Sequence, residues 1–497
     1  MPKTQVAADR SRPVIVWFRS DLRLGDHPAL TAAAASGQPV IPVYIFDERT
    51  GATRPLGGAA RWWLHHSLHS LAASLPRAAG RSRHPPQLIL RRGAATEVLR
   101  ELIETTGASR VLCNRSYDPA LDAADTALLP SLHTAPATFD SYPGMLLAEP
   151  AALRTGGGGP FRIFTAFWNR LRTLEIAQPL PAPRAICGYT GPLASERLEE
   201  WALLPRSGWD AQFDSVWTPG ERGAAARLRA FLSRRFGDYR SARDNPSLEG
   251  TSRLSPHLRF GEISARQIWH AVLRAQPGRR AELTGNGFLR ELGWREFAQH
   301  SLHHFPSLPE RALRREFDTF EWREDTAALE AWRQGRTGYP IVDAGMRQLW
   351  RTGWMHNRVR MIVGSFLVKD LLVSWRHGEA WFWDTLVDAD RASNALNWQW
   401  VSGCGVDAAP YFRIFNPVAQ SLRFDPEGAY LRKWLPELRA LPAPAIHAPW
   451  TAAPKVLAGA GVGLGETYPR PIVEHDAARK RALAGFEKLR RRTGQRR

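Results

Sequence analysis

Four short apolar runs in the first 140 residues constrain the fold more than any other feature of this sequence. Each run has the length of a strand, and apolar residues at consecutive positions imply that both strand faces are buried. Strands of this kind, separated by helical segments, are typical of a parallel sheet covered by helices. The sequence therefore predicts a doubly wound α/β domain with strands at Val14–Phe18, Val40–Phe46, Gln87–Leu90 and Arg110–Cys113, and helices at His27–Ser36, Gly58–Leu75 and Ala94–Thr106.

The composition changes near residue 220. Residues 178–220 are rich in Pro and Gly and read as an irregular connector, and amphipathic helical segments then follow one another to about Ala440. A chain of 497 residues is also long for a single core. We therefore expect an α/β domain at residues 1–140, an interdomain connector at 141–220 and a large all-α domain at 221–497.

The formal net charge of +19 favours a polyanionic partner. Nucleic acid is favoured over an anionic membrane, because no amphipathic or hydrophobic anchor is evident. A general bias toward basic residues explains the charge equally well, since Arg outnumbers Lys and the chain is rich in Ala. Charge alone leaves both readings open.

The sequence also predicts a cytoplasmic location. Three cysteines, Cys113, Cys187 and Cys404, form neither an even disulfide framework nor a metal-binding pattern. The N-terminal residues 1–13 are polar, unlike a secretory signal, and the most apolar helical run, residues 361–375, is interrupted by Lys369 and Asp370. We expect a monomer with no membrane contact and no metal site.

A nicotinamide cofactor is excluded at the first strand. The segment Arg19–Asp26 that follows the strand contains one glycine, whereas a dinucleotide-binding fingerprint needs three. His65 and His66 lie on a helical face without further metal ligands, and we interpret them as solvated side chains.

Residues 338–420 combine apolar runs with Asn, Arg, Asp and Trp at positions that a helix would bury. Buried polar groups are costly unless they are satisfied, and a large flat ligand with polar edges would satisfy them. Nine of the 20 tryptophans lie between Trp322 and Trp400, a concentration that core packing explains poorly. The polar positions fall in the segments Gly338–Arg347, Trp354–Met361, Asp388–Asn394, Trp398–Trp400 and Asp407–Pro417.

These segments, together with Arg19–Asp26, Thr251–Pro256 and Phe288–Phe297, resemble the DNA photolyase/cryptochrome family over nearly the whole chain. The resemblance is strongest to bacterial photolyases that act on cyclobutane pyrimidine dimers, of class I or the related class III. Phe288 and Arg290 depart from many relatives and are similar to plant cryptochromes or to class III. The resemblance implies light-driven repair of UV-damaged DNA by an FAD enzyme, a carbon–carbon lyase.

The resemblance implies a set of FAD-binding residues. Hydroxyl groups and backbone N–H groups at a helix start suit a pyrophosphate, and a buried Arg–Asp pair would be satisfied beside the flavin ring. Asn394 matches the residue that faces flavin N5 and favours the reduced flavin, whereas plant cryptochromes have an acid there. The implied FAD-binding residues are Tyr239, Thr251, Ser252, Leu254, Ser255, Asn357, Arg360, Asp388, Asp390 and Asn394.

The resemblance also implies a lesion site in which Glu291, Asn394 and Met361 have catalytic roles. Photoexcited reduced FAD donates an electron to a flipped-out dimer, the ring splits, and the electron returns. Glu291 and Trp294 are three residues apart, so one helix face presents both. The implied DNA- and lesion-binding residues are Glu291, Trp294, Arg295, Asn357, Arg358, Met361 and Trp400.

Three tryptophans, Trp398, Trp375 and Trp322, match the family's electron-transfer chain to the flavin. Without the resemblance, core packing would be the better interpretation of each. Relatives hold an antenna chromophore in the first domain, either methenyltetrahydrofolate or a deazaflavin, and we expect the folate.

Three other functions remain open at this point. A cryptochrome-type photoreceptor would have an acid at position 394 and a long C-terminal extension, and this sequence shows neither. A six-four photolyase would have a histidine pair near residues 357–361, where His356 stands alone. A non-catalytic DNA-binding flavoprotein would have a distorted lesion pocket, which sequence does not reveal.

Overall fold

The structure is a computed structural model that describes residues 11–48, 54–132, 137–276 and 287–494. Most of the polar N-terminal segment and the last three residues of the basic C-terminus therefore lie outside the described residues. None of the described helices combines the length and the apolar character needed to cross a membrane.

A five-stranded parallel sheet forms the core of the N-terminal part, which confirms the predicted fold class. Its strand order is β3-β2-β1-β4-β5. The fifth strand was not predicted because it lies at the sheet edge, where its Thr, Asp and Ser residues need no continuous apolar run. The strands are β1 (Val14–Phe18), β2 (Val40–Phe46), β3 (Ile89–Arg92), β4 (Arg110–Asn114) and β5 (Thr138–Tyr142).

Helices cover both faces of this sheet. Alternate residues of β1 enter two different cores: Val16 packs with the side chains of two of the helices, whereas Ile15 packs with those of a third. Successive strand residues point to opposite faces, so the fully buried β1 requires both layers. The first layer includes α1 (Pro28–Ser36) and α2 (Gly58–Ser74), and the second includes α3 (Ala95–Thr106); α4 (Pro119–Leu132) follows β4.

The remainder of the described chain is helical, as predicted. Between the sheet and residue 220 there are two short helices, α5 (Phe164–Leu171) and α6 (Phe213–Val216). The helices that follow are α7 (Glu221–Arg234), α8 (Tyr239–Ala242), α9 (Ser255–Arg259), α10 (Ala265–Ala275), α11 (Gly287–His304), α12 (Thr326–Arg333), α13 (Pro340–Thr352), α14 (Asn357–Ser365), α15 (Trp375–Thr385), α16 (Arg391–Ser402), α17 (Pro417–Phe424), α18 (Ala429–Trp434), α19 (Ala443–Ile446), α20 (Pro454–Gly459) and α21 (His475–Arg492).

Buried polar contacts join the sheet to the helical part. Trp63 of α2 donates its indole N–H to Glu262 at 2.9 Å, and the same carboxylate contacts His257 at 2.5 Å. The fully buried guanidinium of Arg23 donates to the carbonyl oxygen of Gly261 at 2.9 Å. Because these groups are buried and paired, separating the two parts would leave costly unsatisfied polar atoms.

Close packing of α15 against α16 positions Trp398, a member of the Trp-rich segment at residues 322–400. A Cβ atom at Gly378 would lie 2.1 Å from the indole of Trp398, so only glycine permits this approach. Trp398 is thereby enclosed between helices and also contacts Phe382, with a ring-centroid distance of 5.0 Å. A π-helical segment, Phe366–Asp370, follows α14 directly and continues the same core.

Candidate active site

An ion pair between the half-buried Arg360 and the buried Asp388 joins α14 to the segment before α16. Arg360 donates through Nη2 to Oδ2 of Asp388 at 2.8 Å, and its Nε donates to the carbonyl oxygen of Met355. Ser255, the first residue of α9, donates its hydroxyl to the same Oδ2 at 2.6 Å. Three of the residues implied as flavin ligands therefore meet at one carboxylate, although 133 sequence positions separate Ser255 from Asp388.

The other oxygen of this carboxylate is unsatisfied. Oδ1 of Asp388 is buried and accepts no hydrogen bond from the described residues. Buried acceptors without partners are rare in folded proteins, and each points to a donor supplied by water, an ion or a ligand. The ring N–H and hydroxyl groups of an FAD are donors of this kind, so the residues present fit that cofactor.

Asn394 of α16 is buried, and its amide orientation is determined by a neighbouring carboxylate. Its Nδ2 donates to Oε1 of Glu379 at 2.8 Å and to the carbonyl oxygen of Glu379 at 3.0 Å. The opposite oxygen of Glu379 accepts from Arg54 at 2.8 Å. With both N–H groups of the amide committed, Asn394 presents its oxygen as an acceptor on the other side. Sequence analysis did not identify Glu379 or Arg54.

Asp390 has a structural role beyond the implied flavin contact. It is the N-cap of α16, where Oδ1 accepts from the backbone N–H of Ser393 at 2.7 Å. Gln299 of α11 donates to both of its oxygens, at 3.1 and 3.3 Å. Asp390 therefore ties α16 to α11.

The implied phosphate-binding turn lies at the start of α9. Leu254 is buried and is the N-cap of α9, Thr251 and Ser252 are half-buried, and Tyr239 is the buried first residue of α8. The hydroxyl of Ser252 accepts from the backbone N–H of Leu254 at 3.4 Å. The contact between Ser255 and Asp388 links this turn to the ion pair described above, so the structure brings the two groups of implied flavin ligands together.

The implied lesion-contacting residues come from three helices and are mostly half-buried. Trp294 of α11 stacks on Phe164 with a centroid distance of 3.7 Å, and Trp400 of α16 is half-buried. On α14, Asn357 is exposed and Nη1 of Arg358 lies 3.8 Å from the sulfur of Met361.

Arg295, an implied lesion-contacting residue, contacts Glu296 and Met145 instead of the other lesion-contacting residues. Its guanidinium pairs with the buried carboxylate of Glu296 at 2.7 Å and donates to the carbonyl oxygen of Met145 at 3.3 Å. Burial raises the pKa of Glu296, and the Arg295 guanidinium opposes that shift. Arg295 therefore lies on the wall of a cavity between the sheet and the helical part, which is described below.

Glu291 is paired with an arginine that sequence analysis did not identify. Arg243 follows α8 and donates through Nη1 to Oε1 of Glu291 at 2.7 Å. Burial lowers the pKa of Arg243, but the facing Glu291 carboxylate and neighbouring groups outweigh this and raise it overall. Asp244 accepts from Arg358 at 2.9 Å. The only sequence signal for Arg243 and Asp244 was their position shortly after Tyr239, an implied flavin ligand.

His356 is a buried helix cap. Its Nδ1 accepts from the backbone N–H of Arg358 at 3.2 Å at the start of α14. Burial lowers its pKa to about 4, so the imidazole is neutral at physiological pH. A neutral, buried imidazole that caps a helix is poorly suited to deliver a proton to a substrate.

The three tryptophans of the implied electron-transfer chain differ in burial. Trp398 and Trp375 are buried, whereas Trp322 is partly exposed. Trp398 contacts Trp332 with a centroid distance of 6.2 Å as well as Phe382. Trp322 lies against Phe320 with a centroid distance of 4.5 Å. Two of the three residues therefore lie in the core of the helical part, and the third reaches its surface.

A cavity of about 270 Å³ lies between the sheet and the helical part. It opens at the carboxyl ends of β1, β2 and β4, where the strand order reverses, which is the usual ligand position in doubly wound sheets. Aromatic, basic and acidic side chains from both parts line it, among them Phe46, Trp383, Arg54, Arg259, Asp125 and Asp390.

Two family models match this sequence. The model described as DNA photolyase matches residues 14–184, and the model described as the FAD binding domain of DNA photolyase matches residues 288–488. The first match contains the sheet, and the second contains Asp388, Asn394 and the Trp-rich segment.

Three similar proteins cover most of the chain. A deoxyribodipyrimidine photo-lyase from Agrobacterium fabrum is 50% identical over 97% of this chain and 99% of its own length. Cryptochrome-2 from Arabidopsis thaliana is 40% identical over 94% of this chain and 78% of its own length. The crystal structure of a bacterial class III photolyase from Agrobacterium tumefaciens superposes with a TM-score of 0.92 at 48% identity, covering 98% of this chain and all of that one.

Proposed function

This chain belongs to the DNA photolyase family, and we propose that it is a deoxyribodipyrimidine photolyase that repairs cyclobutane pyrimidine dimers in DNA with light and bound FAD. The observation that carries the proposal is the carboxylate of Asp388. One oxygen is held by Arg360 and Ser255, while the other is buried with no partner among the described residues. This leaves an acceptor aimed at a ligand within the segment that matches the FAD-binding model.

The residues that would hold the flavin form one connected set. Asp388 and Arg360 would fix the ring system, and the turn before α9 would receive the phosphates. Asn394, oriented by Glu379, offers its amide oxygen to a ring N–H of the reduced flavin. Reduced FAD supplies, on absorbing light, the electron that opens the cyclobutane ring. The remaining implied ligands are Tyr239, Thr251, Ser252, Leu254, Asn357 and Asp390.

The chain's own groups would bind and orient the lesion. A dimer pairs poorly with the opposite strand, so its extrusion costs less than flipping intact bases. Trp294 and Trp400 offer aromatic surfaces to the flipped pyrimidines, while Arg358 and the general positive charge attract the phosphates without reading sequence. Glu291 and Met361 would complete the pocket, and Glu291 in its protonated form would donate a hydrogen bond that strengthens as negative charge develops on the dimer.

We propose Trp398, Trp375 and Trp322 as the route by which electrons reach oxidised flavin. The support is that two are buried and the third reaches the surface, as a relay to an external reductant requires.

We propose that the interdomain cavity binds an antenna chromophore, methenyltetrahydrofolate rather than a deazaflavin. A folate combines a flat ring with carboxylates, which the aromatic side chains and the arginines among the lining residues would contact. The absorption spectrum of the chromophore released from purified protein tests this, and a deazaflavin spectrum would reject the folate.

Two observations favour dimer repair over the alternatives. A cryptochrome of the plant type would have an acid where Asn394 stands. A six-four photolyase needs a proton relay, whereas His356 is a buried cap whose pKa lies at about 4.

The similarity to a class III photolyase and the residues Phe288 and Arg290 favour class III. We propose that the enzyme acts in the cytoplasm, on the nucleoid DNA, as a monomer.

A repair assay tests the proposed function. Oligonucleotides with one cyclobutane dimer or one six-four lesion are illuminated separately with protein carrying fully reduced flavin. We expect light-dependent restoration of the cyclobutane dimer only. Repair of the six-four lesion alone would overturn the substrate assignment, and no repair with normal FAD binding would favour a photoreceptor.

A further inference from the structure

Four charged side chains of alternating sign form a chain across the candidate lesion site. Arg358 donates to Oδ1 of Asp244 at 2.9 Å, Nε of Arg243 lies 3.8 Å from the same oxygen, and Arg243 donates to Glu291 at 2.7 Å. These residues come from α14, from the turn after α8 and from α11. The order Arg358–Asp244–Arg243–Glu291 has no net charge, although the whole molecule carries +19.

Asp244 is the central member of this chain, because a single oxygen contacts both arginines. The other fixed contacts of Arg358 are weak: its Nη1 lies 3.8 Å from the sulfur of Met361, and the guanidinium carbon lies 4.3 Å from the ring centroid of Phe424. Arg243 lies over the ring of Tyr239 at 5.3 Å. Removing the Asp244 charge would therefore free the Arg358 guanidinium and remove a 3.8 Å contact of Arg243, which keeps its 2.7 Å pair with Glu291.

The exposure of these side chains makes the pairs exchangeable. The side chains of Arg358, Arg243 and Asp244 are 19%, 23% and 39% exposed, so water and a competing anion reach all three. Partly exposed ion pairs are weak, and guanidinium groups bind phosphate well, often in a bidentate geometry. A DNA phosphate can therefore displace the Asp244 carboxylate, but the free energy needed to break the ion pair weakens its binding.

We propose that Asp244 is a specificity-determining residue that occupies Arg358, contacts Arg243 more weakly, and so lowers affinity for undamaged DNA. The inference rests on the proposed function, because it assumes that DNA approaches this face. Undamaged DNA offers phosphates alone, so no further contact offsets the free energy of breaking the ion pair. DNA with a flipped dimer also contacts the lesion pocket, and those contacts offset that free energy. Asp244 thus widens the difference between the two DNAs.

The test compares Asp244→Asn with unmodified protein in DNA binding, measured in the dark on undamaged and dimer-containing duplexes at several salt concentrations. Asp140→Asn is the matched control, because Asp140 pairs with Arg110 at 2.7 Å and is 40% exposed, but lies in the sheet. Both variants lose one negative charge beside an arginine, so any general charge effect appears in both.

For Asp244→Asn we expect affinity for undamaged DNA to rise roughly three- to tenfold. The slope of log affinity against log salt should steepen by about one unit, because one arginine freed for a phosphate adds about 0.9. Affinity for dimer-containing DNA should rise less, so the ratio between the two DNAs should fall. Asp140→Asn should change both DNAs little and equally.

Two results would overturn the inference. One is an unchanged salt slope and affinity for undamaged DNA. The other is weaker binding of damaged DNA alone, which would make Asp244 a support for Arg358. If the unmodified protein does not prefer dimer-containing DNA, the proposed function fails, while the effect of Asp244→Asn on undamaged DNA still decides this inference. Flavin content and thermal unfolding check the fold, and Asp244→Ser replaces the first variant if it does not fold.

Discussion

The amide nitrogen of Asn394 donates to the carboxylate of Glu379 at 2.8 Å, and this contact determines which way the amide oxygen faces. Glu379 is itself 7% exposed and accepts from Arg54, which comes from the segment before α2. Asn394, which is implied to contact the flavin, is therefore oriented by Glu379 on the neighbouring helix α15. Glu379 is in turn held by Arg54 from the N-terminal part of the chain. Five predictions follow from this and the other contacts of the site.

Glu379→Ala should shorten the lifetime of reduced flavin in air. Without the carboxylate, the Asn394 amide loses a hydrogen bond to a charged group, worth about 1.5–3 kcal/mol, and can rotate its oxygen away. Glu379→Gln keeps an acceptor oxygen and serves as the control, with a smaller effect. The measurement is the reoxidation rate of the flavin followed by absorbance. Equal rates in both variants and the unmodified protein would show that Glu379 does not orient Asn394 for this purpose.

Asp388→Ala should yield protein with little flavin. The change removes the orphan acceptor and leaves the Arg360 guanidinium without its carboxylate, at a cost of about 1.5–3 kcal/mol, or roughly 10- to 150-fold in affinity. Flavin per protein is measured by absorbance after purification, with Asp140→Asn as a control on a distant ion pair. Stoichiometric flavin in Asp388→Ala would reject the assignment of this carboxylate.

Stability should fall in acid partly because of His356. Its pKa is lowered from 6.5 to about 4 by burial, so below about pH 6.5 the unfolded chain binds a proton that the folded protein does not. The free energy of unfolding should therefore decrease between pH 6.5 and 4, by at most about 3 kcal/mol from this group. His356→Asn retains a capping side chain and should show a shallower decrease in urea unfolding at pH 7 and 4.5. An equally steep decrease would assign the effect to other groups.

Trp322→Phe should leave the fold, the flavin content and repair by reduced enzyme unchanged. Photoreduction of oxidised flavin by an external thiol should slow markedly, since phenylalanine is a much poorer electron donor than indole. Both quantities are measured under the same illumination, with Trp450→Phe as a control at a tryptophan outside the proposed relay. Loss of repair from the reduced state would show that Trp322 is structural.

Glu291→Ala should lower the quantum yield of repair more than it lowers binding of dimer-containing DNA. In its protonated form Glu291 would donate a hydrogen bond to the dimer that strengthens only as negative charge develops there, so the loss is felt mainly during the reaction. Glu291→Gln, which keeps a hydrogen-bonding side chain of the same size, should retain more activity. Dark binding measures the affinity for dimer-containing DNA, and single-turnover flash repair measures the quantum yield. Equal losses in both would indicate that Glu291 stabilises the ground state and the transition state equally.

Local patterns in the sequence were sufficient for the class of fold. The apolar runs at β1 and β2 predicted two strands with their observed bounds, because a strand buried on both faces needs consecutive apolar residues whatever surrounds it. The polar edge strand β5 was missed for the same reason, since an edge position imposes no such pattern. The flavin-binding segment around Asp388 and Asn394 was predicted from its resemblance to the photolyase family, and the family model supports that prediction.

The tertiary structure alone decided which side chains meet. Asp388 accepts from Ser255 across 133 positions, Asp244 from Arg358 across 114, and Glu379 from Arg54 across 325. Hydrophobic periodicity is a property of neighbouring residues, so it determines where helices and strands form. A hydrogen bond between distant segments depends on how those elements pack, and a single polar residue in a sequence does not show its partner. Hence the sequence by itself determined the fold class and the flavin-binding segment, while the packing of α8, α11, α14, α15 and α16 decided that Arg243, Asp244 and Glu379 lie at the candidate site.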